Sequence, residues 1–185
     1  MAVVERLSEE QALERARDAL GGFAEAVDTN HGQLDVRCQP ANVVEVITRL
    51  RDTEGLACRF FTFLSAVDRT ELKVGENDQP GGLEVLVHVY SPEHAVHATV
   101  HVPVDVADPV CPTLTGVFRG AEWHERECHE MFGIEFEGHP NLSNLYLPED
   151  FEGHPGLKSF KLPSRAQVKE WPGAKDPDEA AAGGR

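Results

Sequence analysis

The sequence predicts an α+β domain, a small antiparallel or mixed sheet with helices packed on one side, followed by a long irregular C-terminal extension. Three observations carry this. Two early stretches place apolar residues at helical spacing. Two later stretches alternate valine with polar residues. From Gly133 onward, Gly, Pro and His replace periodicity. The absence of strict strand–helix–strand alternation argues against a parallel nucleotide-binding sheet. The division expected is a domain over 1–120, then a charged helix and extended tail over 121–185.

Ser8 followed by Glu9, Glu10 and Gln11 forms a capping box, in which the hydroxyl accepts an orphan amide and Gln11 reaches back. Leu13, Ala16, Leu20 and Phe23 recur at helical spacing, and Gly21-Gly22 weakens or ends the helix. Leu34, Val36 and Cys38 alternate with Asp35 and Arg37 as a short half-buried strand. Pro40 suits a helix start, Val43, Ile47 and Leu50 make its core-facing stripe, and Gly55 stops it. The run 58–67 is apolar on both faces, as a central strand should be. Residues 68–82 are polar and rich in turn formers, and read as a mobile surface loop. Leu83, Val85, Val87 and Val89 share one face of a strand, and Val96, Ala98, Val100 and Val102 one face of the next. Ser91-Pro92-Glu93-His94 is the hairpin loop between them. Thr113 can cap a short helical stretch, and residues 122–132 form a second, charge-rich one. Phe-Glu-Gly-His-Pro occurs at 136–140 and again at 151–155, too few copies for a solenoid. Residues 171–185 have a composition that stays disordered in isolation. So irregular a tail suits a segment that lies along something else.

With 17 Lys plus Arg against 32 Asp plus Glu, the net charge is −15. That excess repels phosphate backbones and anionic headgroups, which argues against nucleic-acid and direct membrane-surface binding. Acidic patches suit a basic partner, or plain solvation. No run of ~18 apolar residues exists to span a bilayer. The N-terminus has no basic region followed by an apolar one, as a signal peptide would. Cys38, Cys58, Cys111 and Cys128 lie 20, 53 and 17 residues apart, without a CxxC pair. Neither an iron–sulfur cluster nor a zinc ribbon is expected, and the thiols read as buried in a reducing, cytoplasmic compartment.

His124-Glu125-Arg126-Glu127-Cys128-His129 invites a zinc-hydrolase reading, which needs two histidines four apart on one helical face. Here they are five apart, and the imidazoles diverge by roughly 140°. The segment is better read as an amphipathic helix. Arg126 lies four residues after Glu122 and four before Glu130, so one guanidinium can pair with a carboxylate on each side. Exposed, each pair contributes only ~0.3–0.5 kcal/mol; buried by a partner, the network sets orientation. Trp123, Met131 and Phe132 add an apolar patch, an interface composition. If strands 83–90 and 95–102 pair across a four-residue loop, His88 faces His97 and Glu84 faces His101, away from the valines. These three imidazoles and a carboxylate could bind a divalent metal, although the wet face of a half-buried sheet is the commoner explanation. No GxGxxG, GxxxxGK[ST] or GxSxG motif is present, and no catalytic, cofactor-binding or metal-ligating residue is expected.

Over 121–160 the chain resembles the C-terminal signature of the 30 kDa subunit of respiratory complex I, the NADH–quinone oxidoreductase. The matching residues are Trp123, Glu125-Arg126-Glu127, Glu130-Met131-Phe132-Gly133-Ile134, Phe136, Gly138-His139-Pro140, Leu147-Pro148-Glu149-Asp150, Glu152-Gly153-His154-Pro155 and Lys158. Trp171-Pro172-Gly173-Ala174 is similar to the tail of some members. The resemblance implies a cofactor-free extrinsic subunit of a proton-translocating complex, peripheral on the cytoplasmic side of the cell membrane. It implies docking on the 49 kDa quinone-site subunit, with FMN, iron–sulfur clusters and quinone held by partner subunits. By the same resemblance the contact and ordering residues are Trp123, Glu125, Arg126, Glu127, Glu130, Phe132, His139, Pro140, His154 and Pro155. After Pro155 the chain reads Gly156-Leu157-Lys158-Ser159-Phe160, without the Arg and Asp usual in the family. Related subunits serve ferredoxin- or deazaflavin-fed dehydrogenases and membrane-bound hydrogenases, which this stretch does not separate. A free-standing metal-dependent hydrolase is the rival from another class.

Overall fold

In the computed structural model, which describes residues 6–74 and 79–162, the valine-rich strands lie inside a five-stranded sheet. The N-terminal residues 1–5 and the segment 171–185, with its Trp171-Pro172-Gly173-Ala174 match, lie outside the described residues. In chain order the helices are α1 (Glu9–Leu20), α2 (Val43–Asp52) and α3 (Ala121–Phe132). The strands are β1 (Ala26–Asn30), β2 (Gln33–Arg37), β3 (Phe60–Asp68), β4 (Lys73–Val74), β5 (Gln79–Pro80), β6 (Leu83–Ser91), β7 (Val96–Val104), β8 (Val110–Pro112) and β9 (Glu135–Glu137). The main sheet runs β1-β2-β7-β6-β3, and β2 is parallel to β7 while the other pairs are antiparallel.

The capping box forms as expected. The Gln11 amide donates to Ser8 Oγ at 3.2 Å, and the Ser8 amide donates to Gln11 Oε1 at 3.0 Å. α1 buries Ala12, Ala16 and Leu20, and α2 buries Val43, Val46, Ile47 and Leu50. Both stripes meet the valine face, where Val85 lies opposite Val102, Val87 opposite Val100 and Val89 opposite Ala98. Burial of this kind contributes roughly 1.5–3 kcal/mol per large aliphatic side chain, so this layer is the main source of stability.

Four expectations need correction. The apolar run 58–67 is not a central strand, since β3 pairs with β6 alone and forms one edge of the sheet. It looks two-faced because a bulge between Phe61 and Phe63 breaks its alternation, and because Phe61 packs against Phe118 and His124 instead of a further strand. The β6–β7 register is displaced by two residues, with His88 opposite Thr99 and His97 opposite Tyr90. The loop is 92–95, closed by Ala95 at φ 55°, and Ser91 belongs to the ladder opposite Val96. A two-residue displacement keeps every side chain on its face, which is why the valine face survives. Residues 68–82 include the short pair β4–β5, with Lys73 opposite Pro80 and Val74 opposite Gln79. Thr113 caps no helix; a single turn follows, with the Val117 and Phe118 amides donating to Leu114 O.

β1 is absent from the sequence reading. It enters β2 through His31 and Gly32, both at positive φ (53° and 76°), the backbone that a two-residue hairpin of matching twist requires. β8 and β9 form a separate parallel pair, Cys111 opposite Phe136, with both side chains buried. Contacts therefore cross residue 120, among them β8–β9 and α3 against β3.

Both sheet edges are occupied by helix side chains. On β1, Arg17 of α1 donates twice to Val27 O, at 3.0 and 2.9 Å. On β3, His124 of α3 places Nδ1 3.0 Å from Leu64 O and 3.5 Å from Leu64 N. At these positions the edge groups are already engaged, which hinders pairing with a further strand there. His124→Ala is expected to speed hydrogen exchange at the Leu64 amide and lower stability by about 1 kcal/mol. Unchanged exchange there would show that the edge does not need the imidazole.

Candidate docking site

The ten docking residues implied by the resemblance lie on α3 or on the extension after it, and Arg126, Glu130, His139 and His154 hold one to the other. Arg126 makes neither expected ion pair. Its Nε donates to Ser143 O and its Nη2 to Asn144 O, both at 2.8 Å, while the guanidinium lies 5.2 Å from the Trp123 ring centre. Glu130, only 3% exposed, spends its carboxylate on the extension's backbone instead of on Arg126. Leu145 N donates to Oε2 at 2.8 Å, Tyr146 N to Oε1 at 3.0 Å, and Leu147 N to Oε2 at 3.2 Å. Backbone groups without ladder partners demand this; a guanidinium serves carbonyls and a carboxylate serves amides.

The two Gly-His-Pro turns continue the attachment. His139 Nε2 donates to Glu122 O at 3.1 Å and its Nδ1 accepts from Asn141 N at 3.0 Å, so its partners place the proton on Nε2. His154 Nδ1 donates to Glu130 O at 2.9 Å, and Gly156 N donates to Met131 O at 2.7 Å. These are carbonyls of the last helical turn, which have no partner inside the helix. α3 ends at Gly133, whose φ of 75° suits glycine; a Cβ there would also meet the His154 ring at 2.9 Å. Phe132 is half-buried beneath Gly156. Farther on, the Lys158 amide donates to Asp68 Oδ2 at 2.8 Å, across 90 residues of sequence. Pro140 is exposed and Pro155 half-buried.

Glu125 faces the other way, into the protein, and is fully buried. It accepts from Leu114 N at 2.7 Å and from the Thr113 hydroxyl at 2.5 Å, and His139 Nε2 lies 3.9 Å away. Burial raises its carboxyl above the ordinary value, against the lowering effect of those bonds and of His139. Glu127 has no ion pair among the described residues. Trp123 and Tyr146 flank this framework and are 56% and 66% exposed. Tyr146 and Asp68 had no role in the sequence reading, and Thr113 appeared there only as a helix cap. Tyr146 carried no signal of its own, and the partners of Asp68 and Thr113 are distant in sequence.

The histidine constellations separate in space. His124 serves the sheet edge, while His129 Nδ1 donates to Ile134 O at 2.9 Å. On the outer sheet face, His88 stacks on Phe63 with ring centres 5.4 Å apart and lies 5.3 Å from His97. Glu84 instead joins a charged group, with Arg69 Nη2 at 3.2 Å, Arg37 Nη2 at 3.5 Å and His101 Nδ1 at 3.3 Å, the last at ion-pair distance without hydrogen-bond alignment. Among the described residues no group of three or more His, Cys, Asp or Glu is placed to hold a metal ion. Burial pushes the Cys38, Cys58 and Cys111 thiols up to about 12, and that of Cys128 upward as well.

Two outcomes test this framework. Glu130→Gln leaves one acceptor oxygen for three amides, so exchange at 145–147 should accelerate and stability fall by about 1–3 kcal/mol; slow exchange in the variant would exclude the clamp. Asp68 has the opposite shift to Glu125. Burial raises its carboxyl, but the bonds from Thr70 and Lys158 outweigh that and hold it below its ordinary 3.8. Its contribution is complete above that value and lost as pH falls through the lower folded value, whereas acid relieves the penalty on charged Glu125. Asp68→Asn should therefore flatten the fall in stability below about pH 4, measured by urea unfolding across pH. A slope equal to the parent's would remove Asp68 from the account.

Comparison with known proteins agrees with this architecture. A family model described as respiratory-chain NADH dehydrogenase, 30 Kd subunit, matches residues 36–166. An NADH-quinone oxidoreductase subunit of this kind from Roseiflexus sp. is 38% identical over 142 residues, 75% of either chain. Its namesake from Salinispora arenicola is 34% identical over 139 residues, 75% of this chain and 54% of its own. The chain thus spans little more than half the length of some curated relatives. Among solved structures, the trypsin-resistant fragment of Nqo5 superposes with a TM-score of 0.55 at 26% identity, covering 72% of this chain and 98% of that one. A chain of an archaeal membrane-bound sulfane sulfur reductase shares the fold, with a TM-score of 0.64 at 22% identity over 83% of this chain and 85% of its own. Sheet, α3 and pinned extension are thus the parts of a member of the respiratory-chain NADH dehydrogenase 30 kDa subunit family, to which this chain belongs.

Proposed function

We infer that the chain is a peripheral subunit of a proton-translocating NADH–quinone oxidoreductase, and that it positions neighbouring subunits without a reaction centre of its own. The observation that carries this is the rigid display of Trp123 and Tyr146. Charged side chains fix the backbone of 143–147, and the Tyr146 ring within that segment is left facing solvent. Fixing an aromatic before it meets a partner reduces the entropic cost of association, and Trp, Tyr and Arg are the residues most often found at interface centres.

In this reading the partner is the 49 kDa quinone-site subunit. Electrons pass from NADH through FMN and iron–sulfur centres to quinone, all in other subunits. The cysteines are in keeping with that division of labour, since all four are buried and none stands in a CxxC pair. No helix among the described residues is long and apolar enough to cross a membrane, so attachment at the cytoplasmic face would come through the other subunits. The names of the relatives at 34% and 38% identity favour the NADH-quinone complex over ferredoxin-fed or hydrogenase assemblies.

The test is recovery of a tagged chain from gently solubilised membranes of its own host. Flavin, iron–sulfur and quinone-site subunits should co-purify, and a Trp123→Ala, Tyr146→Ala double variant should lower their recovery about tenfold while remaining folded. Full recovery with the double variant would place the interface elsewhere. A simple truncation cannot replace this experiment unless it falls beyond residue 137, because Ile134 and Phe136 are part of the core.

A further inference from the structure

The segment 121–160, which carries the docking face, holds nine carboxylates and only two cationic side chains, Arg126 and Lys158. Two of the nine, Glu125 and Glu130, are buried and committed to internal hydrogen bonds. Among the described residues no lysine or arginine pairs with any of the other seven. Several of those are close in sequence to the exposed rings. Glu127 is one helical turn beyond Trp123, so the two share a face of α3. Glu149 and Asp150 follow Tyr146 on a turn closed by the Phe151 amide donating to Pro148 O at 3.0 Å and the Asn144 amide group donating to Pro148 O at 3.3 Å. Glu152, one residue past that turn, is exposed as well. Arg126 forms no ion pair with these acids; its side chain is tied to two extension carbonyls and lies 5.2 Å from the Trp123 ring centre, so it offsets one charge of the seven and leaves the rest for a partner.

We propose that the surface covering Trp123 and Tyr146 is a basic patch of a neighbouring subunit, whose lysine and arginine side chains lie against the two rings and pair with Glu127, Glu149, Asp150 and Glu152. This rests on the docking function above and names the chemistry of the partner. The indole and phenol faces attract cations, and unpaired carboxylates around them strengthen that attraction at no further ordering cost, since the backbone is already fixed. The same charge repels nucleic acid and anionic lipid, which leaves a basic protein surface as the occupant.

The experiment is the same tagged full-length chain in its native complex, recovered at increasing sodium chloride from about 50 to 500 mM, where the Debye length contracts severalfold. Recovery of neighbours should fall steeply with salt. A Glu127→Lys, Glu149→Lys, Asp150→Lys variant with unchanged circular dichroism should retain about one tenth of the neighbours at low salt, and Glu127→Asp should retain them. Recovery that ignores both salt and charge reversal would overturn the basic partner while leaving docking intact. Absence of neighbours at every salt concentration would overturn docking itself, and this inference with it. Sedimentation showing a salt-insensitive dimer of the chain alone, lost on Trp123→Ala, would seat a second copy on the face and exclude the basic neighbour.

Discussion

A buried carboxylate that accepts three successive backbone amides governs how the rest of this chain is arranged. Glu130 sits in the last turn of α3 and meets Leu145, Tyr146 and Leu147, which have no strand or helix to satisfy them. Neither component stands without the other. An isolated ionised carboxylate would not remain buried, and amides turned inward without acceptors would each cost about 1–3 kcal/mol. The extension lacks the apolar periodicity that would attach it by packing, so polar pinning replaces it. Arg126, one turn earlier, supplies the complementary donors to the Ser143 and Asn144 carbonyls, and together the two charges fix a five-residue stretch.

α3 can carry this load because its other faces are fixed to the domain. His124 occupies the β3 edge, Glu125 holds the 113–114 corner, and Gly133 turns the chain into β9 beside β8. A helix surface offers directions about 100° apart for successive residues. The consecutive string of charged and histidine residues therefore distributes side chains to the sheet edge, the interior, the extension and solvent. What looks like a charge-rich amphipathic helix is a hub with a separate task at nearly every position. Its weak apolar character follows, since few positions remain for packing.

The sequence made the helices and the valine face legible because their causes are local. A capping box spans four residues, and an alternating strand shows its faces by itself. The motif 123–155 was legible as a unit, but the meaning of its charges was not. Arg126 and Glu130 have each other at helical spacing, yet each bonds backbone 15 to 18 residues away, and backbone acceptors and donors have no signature in residue type. The Asp68–Lys158 amide contact is hidden for the same reason. β3 was misplaced because a bulge breaks its alternation and α3 packs against it where a further strand would lie. The register erred because one loop residue, Ala95, takes a positive φ that its identity does not announce.

A protein that positions its neighbours gains from rigidity where it touches them, and the pattern of satisfaction follows that need. Among the described residues, the backbone leading to Tyr146 is tied by side chains on both sides, whereas Trp123, Tyr146 and the acids beside them are free of internal ion pairs. A purely solvated surface has no reason to place its most exposed aromatic ring, that of Tyr146, on an irregular segment held by charged side chains, since exposed apolar area gains nothing from being fixed. An interface does gain, because entropy lost during folding is not lost again on association. The expenditure of two charged side chains, one of them buried, on an otherwise featureless stretch of chain is best understood as preparation for a contact, with folding and recognition served by the same side chains.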